Sequence, residues 1–177
     1  YKNDKIKLNS KTKENPDLIY ENNEKSFQFY LKNYEIINKE LQRIKELPLG
    51  WPVQIKTKIT SKYGYRKDPI NGKRKFHSGV DMSGDLSKKI VSTGDGKVVF
   101  AGIKGGYGLT VIVGHRNTYK SSYSHLSKIF VKKDEKLKKG DIIGLMGSSG
   151  RSTGVHLHYE IRKKDRKINP KKYIEAI

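Results

Sequence analysis

The chain has 177 residues, a length that fits one compact domain with an appended segment. It contains no cysteine, so disulfides and thiolate metal sites are excluded, and any metal must be held by His, Asp or Glu. Only 34% of the residues are hydrophobic and the net charge is +20, so we expect part of the chain to be weakly packed. The sequence has no long apolar run, which excludes a transmembrane helix within these residues.

The first predicted segment, residues 1–21, is polar and charged, lacks hydrophobic periodicity and carries Pro16. We therefore expect a flexible lead-in here. Because residue 1 is Tyr rather than Met, we expect a processed or trimmed chain, with a signal peptide or a membrane anchor as a candidate upstream segment.

An amphipathic helical segment is predicted for residues 22–50, with a helix from about Asn22 to Leu47 that Pro48 ends. Its apolar residues are spaced by three and four, like the a and d positions of a heptad. They are Phe27, Tyr30, Tyr34, Ile37, Leu41 and Ile44. Two alternatives stay open: this seam packs on the domain that follows, or it is the end of a longer coiled coil with a partner.

Residues 51–177 form the third predicted unit, in which short β-rich runs alternate with glycine turns. Almost no helical pattern intervenes, so an antiparallel, mainly β fold is predicted. The predicted strands are 55–59, 90–92, 97–101, 109–113, 121–124 and 156–161.

His77 and Asp81 form the first candidate metal motif in this unit. They are four residues apart, and Gly79 between them permits a turn that would bring the imidazole and the carboxylate onto one metal. Taken alone, the spacing favours an ordinary His–Asp hydrogen bond.

His156 and His158 form the second candidate motif, two residues apart in a predicted strand. Their imidazoles therefore point to one face, while Leu157 and Tyr159 pack on the other. Both imidazoles can bind a metal, or one can bind while the other acts beside it. Glu160 shares their face and either orients an imidazole or meets a lysine.

A glycine-rich segment, residues 144–154, precedes that strand. It lacks a phosphate-binding GxxxxGK[ST] pattern, and we expect it to form one wall of a substrate groove.

Farther upstream, strand alternation places Tyr123 and His125 on one face. An unligated imidazole near a metal suits a general base or a transition-state donor. His115 ends an apolar strand, and we interpret it as structural or incidental.

Three motifs occur in a fixed order along this unit. They are Phe76-His77-Ser78-Gly79-Val80-Asp81, Tyr123-Ser124-His125-Leu126 and Thr153-Gly154-Val155-His156-Leu157-His158-Tyr159-Glu160. Together they resemble the lysostaphin/LytM-type peptidoglycan zinc metallo-endopeptidase family, and the similarity extends over roughly residues 51–170. Val155 stands where Pro is frequent and residues 116–120 replace a glycine-containing turn, but neither departure touches a predicted ligand.

The resemblance implies a sandwich-like β domain that hydrolyses peptide bonds in peptidoglycan cross-links, in the periplasm or outside the cell. It assigns one Zn²⁺ per chain to His77, Asp81 and His158. It makes His125 and His156 the unligated catalytic pair, and which of the two is the base stays open. Two imidazoles and one carboxylate leave a fourth tetrahedral position open, which is typical of catalytic zinc.

A catalytically silent or masked relative that regulates another wall hydrolase is the alternative function. No predicted ligand is missing, but residues 1–50 are a candidate to lie across the groove. We expect peptidoglycan as the partner in either case, and the oligomeric state stays open.

The positive charge suggests a third function, nucleic-acid binding. Residues 1–50 carry ten basic and eight acidic residues, so 28 of the 38 basic and 10 of the 18 acidic residues lie in residues 51–177. No nucleic-acid module is recognisable there, and a general lysine-rich composition accounts for the charge. We therefore expect no nucleic-acid partner.

Overall fold

The computed structural model describes the backbone of residues 16–176 and the side chains of Glu21 and residues 23–176. The chain divides into two compact units, with the boundary between Leu41 and Gln42. Among the described residues, no helix is both long and apolar enough to cross a membrane.

The N-terminal helix, α1, spans Pro16–Lys45. It begins before the predicted start near Asn22, so the lead-in predicted for residues 1–21 is wrong over residues 16–21, and its remainder lies outside the described residues. The reason is that proline suits the first helical turn, where no backbone N–H is needed and its fixed φ is already helical. Pro16 is therefore a start signal and not a loop signal.

The heptad seam of α1 is exposed along its whole length. Its six side chains, Phe27, Tyr30, Tyr34, Ile37, Leu41 and Ile44, have exposed fractions between 48% and 70%. Whether this seam packs on a domain or pairs with a partner helix stays a prediction.

The last turn of α1 belongs to the second unit. The Asp95 N–H donates to the Lys45 carbonyl at 2.7 Å, and the Leu49 N–H donates to the Thr93 carbonyl at 3.0 Å. These bonds fix the end of the helix and the segment after it to the β-rich unit.

The rest of the described chain contains thirteen strands, a short α-helix and two short 3-10 helices at Gly105–Tyr107 and Arg116–Thr118. In chain order the strands are β1 (Ile59–Ser61), β2 (Gly64–Lys67), β3 (Arg74–His77), β4 (Val80–Ser83), β5 (Lys89–Val91), β6 (Gly96–Ile103), β7 (Leu109–Gly114), β8 (Tyr119–Leu126), β9 (Lys128–Ile129), β10 (Lys136–Leu137), β11 (Ile142–Leu145), β12 (His156–Lys163) and β13 (Arg166–Ile168). The short helix is α2 (Lys171–Ile174).

The strands form three antiparallel sheets. The main sheet has the order β1-β4-β12-β8-β7-β6-β10, with β13 paired to β12. A smaller sheet has the order β5-β11-β9, and β2 pairs with β3 in a hairpin. One hydrophobic core joins the main and the smaller sheet, since Val98 and Leu157 of the first share it with Ile90 and Ile143 of the second. The predicted mainly β, antiparallel fold class is confirmed.

Four of the predicted strands are confirmed. The predicted runs at 97–101, 109–113, 121–124 and 156–161 lie inside β6, β7, β8 and β12. The run at 55–59 is wrong except for Ile59, because residues 55–58 lie outside the described strands and are largely exposed. The β2–β3 hairpin was not predicted, since its many charged residues look like a loop.

Candidate active site

The three predicted metal ligands meet where β4 and β12 lie side by side. His77 ends β3, Asp81 lies on β4, and His158 lies directly opposite Asp81 on β12. His77 Nε2 is 3.1 Å from Asp81 Oδ1 and 3.1 Å from His158 Nδ1, and His158 Nδ1 is 2.8 Å from Asp81 Oδ1. All three side chains are buried.

Each imidazole of this cluster is fixed by a second partner on its outer side. His77 Nδ1 lies 2.8 Å from the Lys62 carbonyl oxygen. His158 Nε2 lies 3.1 Å from Glu160 Oε1. Because a carbonyl or carboxylate oxygen only accepts, these outer nitrogens are the donors, and the inward nitrogens of the neutral rings carry no proton.

The Asp81 carboxylate is ionised at neutral pH. Burial alone would raise its pKa, but hydrogen bonds with His158 and His77 hold the pKa of this carboxyl well below its usual range. Arg66 donates to Oδ2 at 3.2 Å, which leaves Oδ1 to the two imidazoles.

With both rings neutral, three acceptor atoms converge in a buried site, and the hydrogen bonds to Asp81 form only when a proton lies between these atoms. Such a group is stable only with a cation, either a proton or a metal, between the acceptors. Zinc takes nitrogen and oxygen ligands at about 2.0–2.2 Å in tetrahedral geometry, which separates the ligand atoms by roughly 3.4 Å. The observed separations of 2.8–3.1 Å are close to this value, so the cluster fits such an ion.

Gly79 serves the site through close packing. A Cβ at this position would lie 2.4 Å from the Tyr159 carbonyl oxygen and 2.9 Å from His158 Cε1. Its φ is not in the left-handed region, so space, and not backbone conformation, requires glycine here. The absence of a side chain lets the start of β4 approach β12 and aligns Asp81 with His158.

His125 reaches the same site by breaking the alternation of β8. The register pairs Tyr123 with Tyr159, and Tyr123 is fully buried in the core. The prediction that Tyr123 and His125 share a face is wrong, because His125 has a φ of +63°, in the left-handed region. This turn of the backbone places the His125 ring 4.8 Å from the His156 ring.

The glycine-rich loop holds both of the predicted unligated histidines. His125 Nδ1 lies 2.7 Å from the Ser149 carbonyl oxygen, and His156 Nδ1 lies 2.8 Å from the Gly154 carbonyl oxygen. Each Nδ1 is therefore a donor, and each neutral ring has an unprotonated Nε2. His156 Nε2 lies 3.8 Å from Asp81 Oδ1, beside the cluster of predicted ligands.

The charge of His125 suits proton transfer. Burial lowers the pKa of its imidazole, and the nearby His156 and His158 lower it further, against the opposing effect of the bond to Ser149. The ring is therefore neutral at pH 7 and free to accept a proton.

A cavity of about 290 Å³ is lined by the predicted ligands His77 and His158 and by the predicted unligated pair His125 and His156. The glycine-rich loop lines it through Arg151, Ser152 and Thr153. That this cavity is a substrate groove stays a prediction. Arg151 donates to both carboxylate oxygens of Asp68, at 3.1 and 2.9 Å, and so joins this loop to the turn before β3. The ion pair fixes the distance between two walls of the groove.

His115 lies in a different hydrogen-bond network. Its Nδ1 is 2.9 Å from the Asp95 carbonyl oxygen and its Nε2 is 2.7 Å from Ser121 Oγ. Ser121 in turn donates to the Tyr123 hydroxyl at 2.9 Å, inside the core. This environment fits the structural interpretation of His115.

Several contributors to the site carry no sequence signal of their own. Arg66 is one of 38 basic residues, and Lys62 contributes only its backbone carbonyl. Asp68 and Arg151 are 83 positions apart. Only knowledge of which strands are neighbours identifies them.

The model of peptidase family M23 matches residues 75–170 of this chain. The chain is 37% identical over 146 residues to the peptidoglycan DD-endopeptidase ShyA of Vibrio cholerae, a match that covers 82% of this chain and 32% of that protein. The chain spans about a quarter to a third of the length of the curated relatives it matches.

Solved structures share the fold. The catalytic domain of lysostaphin from Staphylococcus simulans superposes with a TM-score of 0.62 at 30% identity, covering 67% of this chain and 92% of that chain. A zinc-containing peptidase from Vibrio cholerae superposes with a TM-score of 0.61 at 35% identity, covering 71% of this chain and 38% of that chain. The resemblance to the lysostaphin/LytM type is confirmed.

Proposed function

The chain belongs to peptidase family M23, and from that premise we propose that it is a zinc-dependent endopeptidase of the cell envelope. Its proposed reaction is hydrolysis of peptide bonds in peptidoglycan cross-links, with one zinc ion per chain. The convergence of His77 Nε2, Asp81 Oδ1 and His158 Nδ1 carries this proposal. The similarity to a peptidoglycan DD-endopeptidase supports the substrate class.

The proposed mechanism divides the site into two groups. His77, Asp81 and His158 would hold the ion, which polarises the scissile carbonyl and acidifies a water molecule when bound. His125 and His156 would move protons, since each has an unprotonated Nε2 on the neutral ring. One would accept the proton of the attacking water and pass it to the leaving amine. The other would donate a hydrogen bond to the developing oxyanion from Nε2 in its imidazolium form, since its Nδ1–H is bonded to a backbone carbonyl.

The direct test is digestion of purified peptidoglycan by the zinc-loaded chain. We expect soluble fragments whose mass spectra show new peptide amino and carboxyl ends and intact glycan bonds. A chelator should abolish the release, and added zinc should restore it, because the ion supplies the Lewis acid. A folded, zinc-loaded protein that leaves the walls intact would refute the proposal.

The alternative, a masked regulator, is tested by removing residues 1–41. The cut falls at the boundary between the two units and keeps Lys45, whose carbonyl accepts a hydrogen bond from Asp95. For an unmasked enzyme we expect equal rates of wall digestion by both forms, with equal zinc content. A rate that rises at least tenfold on truncation would favour masking, and no activity in either form would favour a silent regulator.

A further inference from the structure

We propose that half-buried Lys167 and buried Glu160 form a charged brace that positions the metal ligand His158 and ties it to the groove wall. The brace rests on the proposed function, because it acts through a zinc ligand. Neither residue touches the reacting atoms in this proposal, so both are positioning residues.

Glu160 is the first half of the brace. Its side chain is only 1% exposed, and Oε1 lies 3.1 Å from His158 Nε2. An anion held at this nitrogen fixes the tautomer and the plane of the imidazole, and it makes Nδ1 a stronger electron donor. The ring of His158 can then present Nδ1 to a metal in one orientation only.

Lys167 is the second half of the brace. Its ammonium group donates to Glu160 Oε1 at 2.9 Å, to Tyr107 Oη at 2.8 Å and to Ser78 Oγ at 2.9 Å. An ammonium has three N–H donors, so these three bonds satisfy it completely. Glu160 Oε1 also accepts from Ser78 at 2.6 Å and from Tyr107 at 3.1 Å.

The three partners of Lys167 come from three separate parts of the site. Ser78 follows the ligand His77 in the chain, Tyr107 lines the cavity, and Glu160 holds the ligand His158. One cation therefore fixes a metal motif, a groove wall and a second metal motif relative to one another.

Sheet register explains how a residue beyond the last motif reaches this place. Lys167 on β13 pairs with Arg162 on β12, and Glu160 lies two residues before Arg162. Side chains two apart on a strand share a face, so Lys167 and Glu160 are diagonal neighbours. The β12–β13 hairpin thus extends the metal site.

The energetic consequence of removing one partner is large. A buried carboxylate that loses its cation keeps the cost of desolvation without the compensating attraction. Arg162 offers only a weak substitute, since its nearest nitrogen is 3.4 Å from Glu160 Oε2. We therefore expect Glu160 to shift and His158 to lose its fixed orientation when Lys167 is replaced.

The test compares Lys167→Met and Glu160→Gln with the control Lys172→Met in the full chain. Lys172 is an exposed lysine of α2. Zinc affinity is measured by competition with a chromophoric chelator, and ligand geometry by the visible spectrum of the cobalt-substituted protein. We expect zinc affinity to fall about 10- to 100-fold in both brace variants, with a shifted cobalt spectrum. The control should match the unmodified chain in both.

A merely structural role would lower the unfolding temperature without changing zinc affinity or the cobalt spectrum, and that result for Lys167→Met would overturn the brace. If Lys167→Met does not fold, Tyr107→Phe decides, since it removes one hydroxyl from the same cluster. A several-fold loss of zinc affinity supports the brace, and unchanged affinity overturns it. An unmodified chain that binds no zinc would instead refute the proposed function, and the brace with it.

Discussion

Replacing His158 with Ala is expected to lower zinc affinity by roughly a thousandfold and to abolish wall digestion. The scale follows from protein–zinc binding free energies of about 10–16 kcal/mol, of which one of three protein ligands supplies on the order of 4 kcal/mol. The loss also leaves Asp81 and Glu160, which His158 now separates, as two buried anions without the imidazole between them. Zinc content after dialysis, measured by mass spectrometry, checks this result.

The matched control for this variant is His115→Ala. His115 is a histidine of the same β-rich unit, but its ring binds the Asp95 carbonyl and Ser121. We expect it to keep its zinc and to lose stability, because Ser121 Oγ and the Asp95 carbonyl lose a buried partner. Stoichiometric zinc of undiminished affinity in His158→Ala would contradict the assigned ligand set.

The alternation of polar and apolar residues made part of the site predictable. His156, His158 and Glu160 fall on one side of β12, and Leu157, Tyr159 and Ile161 are fully buried on the other, as expected. A period of two needs only local sequence, so it can be read without knowing the neighbouring strands.

Local sequence does not show which strands are neighbours in the sheet. The pairing of His158 with Asp81 joins positions 77 residues apart, and the pairing of Lys167 with Arg162 brings a further cation to the same face. Such register is set by the packing of the whole core. Family resemblance supplied the predicted ligands, and it did not supply Arg66 or Lys167.

Backbone irregularity caused the error at His125. The prediction assumed regular alternation along β8, which would direct His125 into the core beside Tyr123. A left-handed residue reverses that direction, at a cost of about 1–3 kcal/mol for a non-glycine residue. Strain of this kind accumulates at functional sites, where the surrounding structure compensates for it.

His125→Ala is expected to keep zinc and to lower kcat by about two to four orders of magnitude, the usual contribution of general acid–base catalysis. The reason is that His125 is bonded to the Ser149 carbonyl and beside His156, and it is not part of the three-acceptor cluster. Zinc affinity and the rate of cross-link cleavage, measured on the same preparation, separate the two effects.

The two histidine variants are expected to differ in zinc binding, and this difference makes the prediction specific. His158→Ala should lose zinc and activity together, whereas His125→Ala should lose activity alone, and imidazole added to His125→Ala should restore part of the rate by occupying the vacated space. Full activity in His125→Ala would show that His156 alone moves the protons, since it is the other ring with an unprotonated Nε2 beside the ligands. His156, at the start of β12, would then take the proton-transfer role assigned to His125.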